Sequence, residues 1–280
     1  MPGPAVQLSP FDAAFPRRLR DLARPPILRI RGAMVEPARS IAIVGSRAAT
    51  AVACGTAQAL ATHAARHGVQ VVSGGAIGID AAAHRGALAG GGHTVVVLGT
   101  GLDIIYPDRH RGLFAAVEAA GGALVTAYPD GTPPRPGHFV QRNELIAALA
   151  DVVIVVSASA GSGALHTARA ACRLGRALAA TPGTAGTRML VAAGASPVST
   201  PDELDVVLAG GRLRPSRPAP SDDGRRVLDA IAGATRPQTI DDLAEAGLGL
   251  PVGLLAALLS ELESDGWIIP IPGGAYVGAP

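Results

Sequence analysis

The chain has 280 residues, of which 48% are hydrophobic and 16% charged, a balance that supports a packed core and excludes collagen-like, mucin-like and disordered classes. No apolar run approaches the roughly 20 residues of a membrane span, and the start MPGPAVQLSP lacks a basic segment followed by an apolar one, so no secretory signal is expected. All 24 basic residues are Arg and none is Lys, which removes the amine needed by a Walker A loop, a Schiff base or PLP chemistry. Cys54 and Cys172 stand apart with neither metal nor redox spacing, so no metal or cofactor is expected and the chain is placed in the cytoplasm with reduced thiols.

Taken in chain order, short Val/Ile/Ala runs alternate with Ala-rich helical stretches, the pattern of an α/β doubly wound, mainly parallel sheet. Candidate strands are residues 41–44, 69–72, 94–98, 152–156 and 177–180, each followed by a loop of Gly and small hydroxylic residues. Loops at the carboxyl ends of one such sheet converge on a single crevice. The first reads Gly45, Ser46, Arg47, which offers backbone amides and one cationic fork to an anion and equally suits a simple tight turn. It lacks the second and third glycines of GxGxxG, so a dinucleotide is not expected. The second loop, with Ser73, Gly74, Gly75 and Gly78, leaves little side chain to obstruct a ligand, and Asp80 is placed to cap the next helix. His63 and His67 lie four apart without a third ligand and read as a solvated helix face.

Further on, HFVQRNELIAALA opens a helix after a Pro-rich loop. Arg142 and Asn143 could fix backbone and base edges while Phe139 offers a stacking face, the combination single-strand binders use; an N-terminal turn for the pair and a core position for Phe139 fit as well. Gly161, Ser162 and Gly163 do not form GxSxG, so no nucleophile elbow follows. Residues 210–223 read as a linker. Beyond it, three amphipathic segments and a hairpin with a Gly-Gly turn give the winged-helix pattern. Residues 1–220 carry 21 Arg and 13 acids, residues 221–280 only 3 Arg and 9 acids. An acidic module opposes phosphate, so docking or packing is the expected role of the winged helix.

The order of motifs resembles the DprA/Smf family: FPRRLRDLARPPILRIRG, IVGSR, SGGAIGIDAAAH, GTGLDIIYP, FVQRN, SGALHTA, then Pro182 and Gly183, over roughly residues 11–210, followed by the small winged helix. The resemblance implies an N-terminal extension over residues 1–40, an extended Rossmann-like domain over 41–210, a linker over 211–223 and a winged helix over 224–280. It further implies a homodimer that binds single-stranded DNA and helps load RecA recombinase in natural transformation, with no catalysis. By position, Gly45, Ser46, Arg47, Ser73, Gly74, Gly75, Phe139, Arg142, Asn143, Gly161, Ser162 and Gly163 would line the DNA site. Three departures stand out: Glu144 where the family commonly has a second Arg, Thr126 and Ala127 where it commonly has Ser-Glu, and Ser157 where it often has Glu. Glu144 is the departure expected to weaken phosphate contact. Two rival classes are a LOG-like nucleotide phosphoribohydrolase, whose catalytic Glu is missing after TPGTAGT, and a winged-helix transcription factor, which would need a basic C-terminal module.

Overall fold

A computed structural model describes residues 4–214 and 219–278, so the middle of the linker segment lies outside the described residues. The chain divides into two compact units, residues 1–214 and 215–280.

In the first unit the strands are β1 (Ala5–Leu8), β2 (Leu28–Gly32), β3 (Ser40–Gly45), β4 (Gln70–Ser73), β5 (Thr94–Val97), β6 (Ala123–Thr126), β7 (Val152–Ser157), β8 (Ala177–Ala180) and β9 (Ser196–Pro197). The helices are α1 (Ala51–Arg66), α2 (Ile79–Ala89), α3 (Arg111–Ala119), α4 (Pro136–Ala148), α5 (Ala164–Arg173), α6 (Ala185–Ala192) and α7 (Pro201–Leu208). The described strands form one nine-stranded sheet in the order β1-β2-β6-β5-β4-β3-β7-β8-β9. From β6 to β9 the pairs are parallel, while β2 adds antiparallel to β6 and β1 antiparallel to β2.

Parallel strands covered on both faces read as continuous apolar runs, and β3 and β7 are buried almost throughout. Their residues alternate between two cores. Ala42, Val44, Val153 and Val155 face Leu145, Ile146 and Leu165 of α4 and α5 together with Phe15 and Leu19; Ile41, Ile43, Ile154 and Val156 face Leu60 and Ala64 of α1 and Ile79 of α2. The chain builds outward from β3 through β4, β5 and β6, then returns to lay β7 on the other side of β3. That reversal is the topological switch point, where the carboxyl ends of adjacent strands open a crevice in sheets of this kind.

The doubly wound sheet expected from the sequence is therefore present, with more strands than the sequence pattern showed. β6 is fully buried, yet its ALVT sits in an Ala/Gly context that carries no strand signal of its own. Among the described residues no helix is long and apolar enough to cross a membrane.

The second unit contains α8 (Asp222–Gly233), β10 (Gln238–Thr239), α9 (Ile240–Glu245), α10 (Val252–Ser264), β11 (Ile268–Ile271) and β12 (Ala275–Gly278), with a small sheet ordered β10-β12-β11. Helix α8 begins inside the segment read as linker, because Ser221 accepts a hydrogen bond from the Gly224 amide and caps it. Val227, Ile231, Leu243, Leu255, Leu258, Leu259 and Leu262 converge with Ile268 in a separate core. Three helices and a hairpin make the winged helix anticipated from the sequence.

Candidate nucleic-acid interface

A crevice of about 520 Å³ opens at the switch point, walled by the loop after β3, the start of α4 and the loop after β7. Gly45 ends β3 where a Cβ would stand 2.6 Å from Ile79 Cγ1 and 2.9 Å from the Ser157 carbonyl, so only glycine lets the strand end this close to α2. The Ser46 amide donates to the Ser157 carbonyl at 2.8 Å, and the Ile79 amide to the Ser46 carbonyl at 3.3 Å. These bonds hold the turn and send Arg47 out over the crevice, where it is exposed and lines the wall. Among the described residues it has no ion-pair partner within 4 Å, and its guanidinium carbon lies 5.3 Å from the Phe139 ring centroid, a cation–π distance.

Phe139 belongs to none of the buried apolar clusters. It is half-buried and lines the crevice. One side rests on Gly99, where a Cβ would come within 2.7 Å of the ring, and Tyr106 lies 5.5 Å away, centroid to centroid. The ring stands at the crevice wall with Arg142 as well as Arg47 at cation–π distance, the Arg142 guanidinium carbon 5.8 Å from its centroid. Tyr106 carried no signal in the sequence beyond its place in GTGLDIIYP, yet it lines the same space and is 41% exposed.

Arg142 differs from its expected role. It is 4% exposed, its Nη1 donates to the Val97 carbonyl at 2.6 Å, and its guanidinium fills the space a Gly74 side chain would need, with Nη1 1.8 Å from the ideal Cβ position. It reaches the crevice only as part of the floor. Burial pulls its pKa down to about 10, with Asp80 acting against that shift, so the group remains cationic at neutral pH. Its Nε has no hydrogen-bond partner among the described residues.

Ser73, Gly74 and Gly75 are corrected in the same way: all three are buried and none lines the crevice. Ser73 Oγ donates to the Ile43 carbonyl at 2.6 Å. Gly75 has φ +69° and packs where a Cβ would meet Phe114 and Val96 at 2.7 Å, while its carbonyl lies 2.8 Å from His110 Nδ1. The glycines thus serve tight packing. One amide of this loop, that of Ala76, faces a carboxylate and donates to Asp80 Oδ2 at 3.2 Å. The carboxylate of the chain itself occupies that position at the start of α2.

Asp80 is 5% exposed and lines the crevice floor beside Arg142. Burial raises its pKa, opposed by Arg142, the Ala76 amide, the Ser73 hydroxyl and Arg47. The helix cap is Gly78, not Asp80, which lies in the first turn. Beneath the same loop His84 is fully buried, its Nδ1 2.8 Å from Thr94 Oγ1, and burial lowers its pKa to about 3, helped by His110 and Arg142.

Asn143 Nδ2 donates to the Gly163 carbonyl at 3.2 Å, tying α4 to the loop after β7. Ser162 and Gly163 line the crevice, whereas Gly161 lies exposed beside it with open space around its α-carbon. The residues at the departures from the family pattern make local contacts. Glu144 pairs with Arg173 at 3.1 Å and does not line the crevice, Thr126 Oγ1 donates to the Thr100 carbonyl at 2.8 Å, and the Ser157 carbonyl receives the Ser46 amide. His63 is not simply solvated: its Nε2 lies 2.8 Å from Asp205 Oδ1 and links α1 to α7. Among the described residues no group of three His, Cys, Asp or Glu is placed to hold a metal ion.

A Rossmann-like domain whose switch-point crevice presents a cation over an aromatic ring, followed in the chain by a winged helix, defines a protein of the DNA-processing class. The model of the DNA recombination-mediator protein A family matches residues 7–208, and that of the DprA winged helix domain matches residues 212–274. The chain belongs to the DNA recombination-mediator protein A, or DprA, family. Similar proteins include a putative DNA processing protein DprA of Mycobacterium tuberculosis, 40% identical over 86% of this chain and 67% of the relative, and protein Smf of Escherichia coli, 34% identical over 97% and 77%. Among solved structures, DNA processing protein A of Streptococcus pneumoniae is 31% identical with a TM-score of 0.66, covering 72% of this chain and 74% of that one. The Helicobacter pylori protein, described by its single-stranded DNA binding mode, is 27% identical with a TM-score of 0.67, covering 76% and 100%.

Proposed function

We propose that the chain binds single-stranded DNA in the switch-point crevice and passes it to RecA recombinase during transformation or recombination, acting in the cytoplasm as a homodimer and without catalysing a reaction. The observation that carries the binding step is the placement of Arg47 over a half-buried Phe139 at the crevice wall. A cation beside a stacking ring engages a phosphate and a neighbouring base together, and stacking of this kind needs an unpaired strand. The single-stranded DNA bound by the Helicobacter pylori relative supports the same ligand, and the recombination-mediator family supports the hand-over.

Two features favour binding over hydrolysis. Asp80 is the one carboxylate lining the crevice among the described residues, and it already accepts from the Ala76 amide beside Arg142. After TPGTAGT, where a phosphoribohydrolase would carry its Glu, the chain has Arg188, Met189 and Leu190, and Thr184 and Thr187 cap α6 reciprocally. Fluorescence titration with single- and double-stranded oligonucleotides, with nucleoside monophosphate hydrolysis assayed in parallel, tests the proposal. Tighter single-strand binding without hydrolysis supports it, and turnover of the monophosphate would refute it.

A further inference from the structure

Acidic residues are distributed unevenly around the carboxyl end of the sheet. The loops after β5 and β6 carry Asp103, Asp108 and Asp130, but from Val152 to Pro201 there is no Asp or Glu at all. That acid-free stretch forms β7, α5, β8, α6 and β9. It ends at the first turn of α7 with Asp202 and Glu203.

Within it, Arg188 is exposed and has no ion-pair partner among the described residues. Its Nη1 donates to the Gly183 carbonyl at 3.1 Å, which holds the guanidinium at the loop leaving the carboxyl end of β8. In the sheet, β8 lies two strands from β3, a separation of about 10 Å at the usual interstrand spacing, and Arg47 leaves from β3. The ground between them is the loop over residues 159–163, made only of Ser, Ala and Gly. Its Gly161 is exposed, with nothing within 4 Å of a Cβ position. Of the other arginines in this stretch, Arg173 pairs with Glu144 and Arg176 with Asp21, while Arg169 is exposed midway along α5, away from the loop at the carboxyl end of β8.

We infer that a single strand held in the crevice continues across the 159–163 loop onto Arg188, which is a second phosphate contact and sets the direction in which the strand leaves Arg47. This inference rests on the proposed function, since it extends the same ligand to a further subsite. A polyanion follows the route where cations stand unpaired and no carboxylate opposes it, and a loop without side chains beyond a hydroxyl lets the backbone of the strand pass.

The test is fluorescence anisotropy of the full chain with a labelled thymidine trinucleotide and a dodecanucleotide over a range of salt. The variants are Arg188→Ala, Arg188→Glu, Gly161→Glu and, as a control, Arg66→Ala. Arg66 is also exposed but closes α1, whose 16 residues place it about 24 Å from the crevice end of that helix, so its removal changes net charge without touching the route. Arg188→Ala is expected to reduce the slope of log affinity against log salt by about 0.7 for the dodecanucleotide and to leave the trinucleotide unchanged. Arg188→Glu and Gly161→Glu are expected to weaken the dodecanucleotide further, with melting temperatures kept. Arg188 variants that match Arg66→Ala on the dodecanucleotide, or that weaken both oligonucleotides equally, overturn the inference. Failure of the parent chain to bind either oligonucleotide would instead remove the proposed function itself.

Discussion

Arg47 and Arg142 are both arginines in loops or helix starts that the sequence marks as DNA contacts, and the structure gives them opposite work. Arg47 is exposed without a carboxylate partner, whereas Arg142 is buried on the Val97 carbonyl and beside Asp80. Replacing Arg142 by Met removes the donor to the buried Val97 carbonyl, a loss of about 1–3 kcal/mol, together with the positive charge that opposes the upward shift of Asp80, so thermal denaturation is expected to show a loss of stability. Arg142→Lys keeps the charge but not the fork, and is expected to lower the melting temperature while the salt slope of DNA binding stays unchanged; a reduced slope would return Arg142 to the phosphate. Phe139→Ala is expected to cost about 1–3 kcal/mol of single-strand affinity with a stability loss well short of the roughly 3–5 kcal/mol of a core Phe truncation. His84 supplies a pH signature. Its folded pKa near 3 lies below the ordinary 6.5, so the unfolded chain takes up the proton first and stability falls by about 1.4 kcal/mol per pH unit as pH drops below 6.5, levelling off near the folded value. Chemical denaturation between pH 4 and 7 checks this, because His84→Asn is expected to flatten the dependence relative to the parent chain.

At the scale of elements, β3, β4, β5 and β7 were legible because strands buried on both faces are predominantly apolar, and β8, exposed at its start, was legible from its short apolar run alone. β6 was not, since four residues inside an Ala/Gly run give no periodicity to read. The crevice was legible in outline, from loops that all follow parallel strands, and Gly45, Ser46, Arg47, Phe139, Asn143, Ser162 and Gly163 do line it. The second glycine-rich loop misled because glycine signals close approach without saying what approaches. At Gly74 it is the Arg142 guanidinium and at Gly75 the Phe114 ring. Asp80 and Tyr106 join the site only through the tertiary packing of α2 and of the loop after β5. Because Gly74 yields its space to Arg142, Gly74→Ala is expected to displace that side chain and destabilise the unit by about 1–3 kcal/mol, the usual cost of overpacking; an unchanged denaturation midpoint would mean the guanidinium moves aside freely.

For the whole molecule, the electrostatic division between the two units sets an expectation of which of them meets DNA: the basic first unit. In the winged helix Arg226 pairs with Asp223 at 2.9 Å and Arg236 with Asp242 at 2.6 Å. α10 carries no cation, and its exposed residues include Val252 and Leu254. A helix without a cationic side chain has little to offer a phosphate backbone. Truncation after Pro220 is therefore expected to leave single-strand affinity equal or slightly raised, any gain shrinking as salt screens the removed acids. A tenfold loss in a truncated chain that circular dichroism shows to be folded, about 1.4 kcal/mol, would put the winged helix on the DNA. The central claim, that the switch-point crevice holds a single strand through Arg47 and Phe139, is tested most directly by salt-dependent anisotropy titrations of the parent chain, Arg47→Ala and Phe139→Ala against matched single- and double-stranded oligonucleotides. Tighter binding of the single strand is expected, with a slope reduced by about 0.7 for Arg47→Ala and weaker binding at an unchanged slope for Phe139→Ala. Equal affinity for the two oligonucleotides, with neither substitution changing it, would contradict the account.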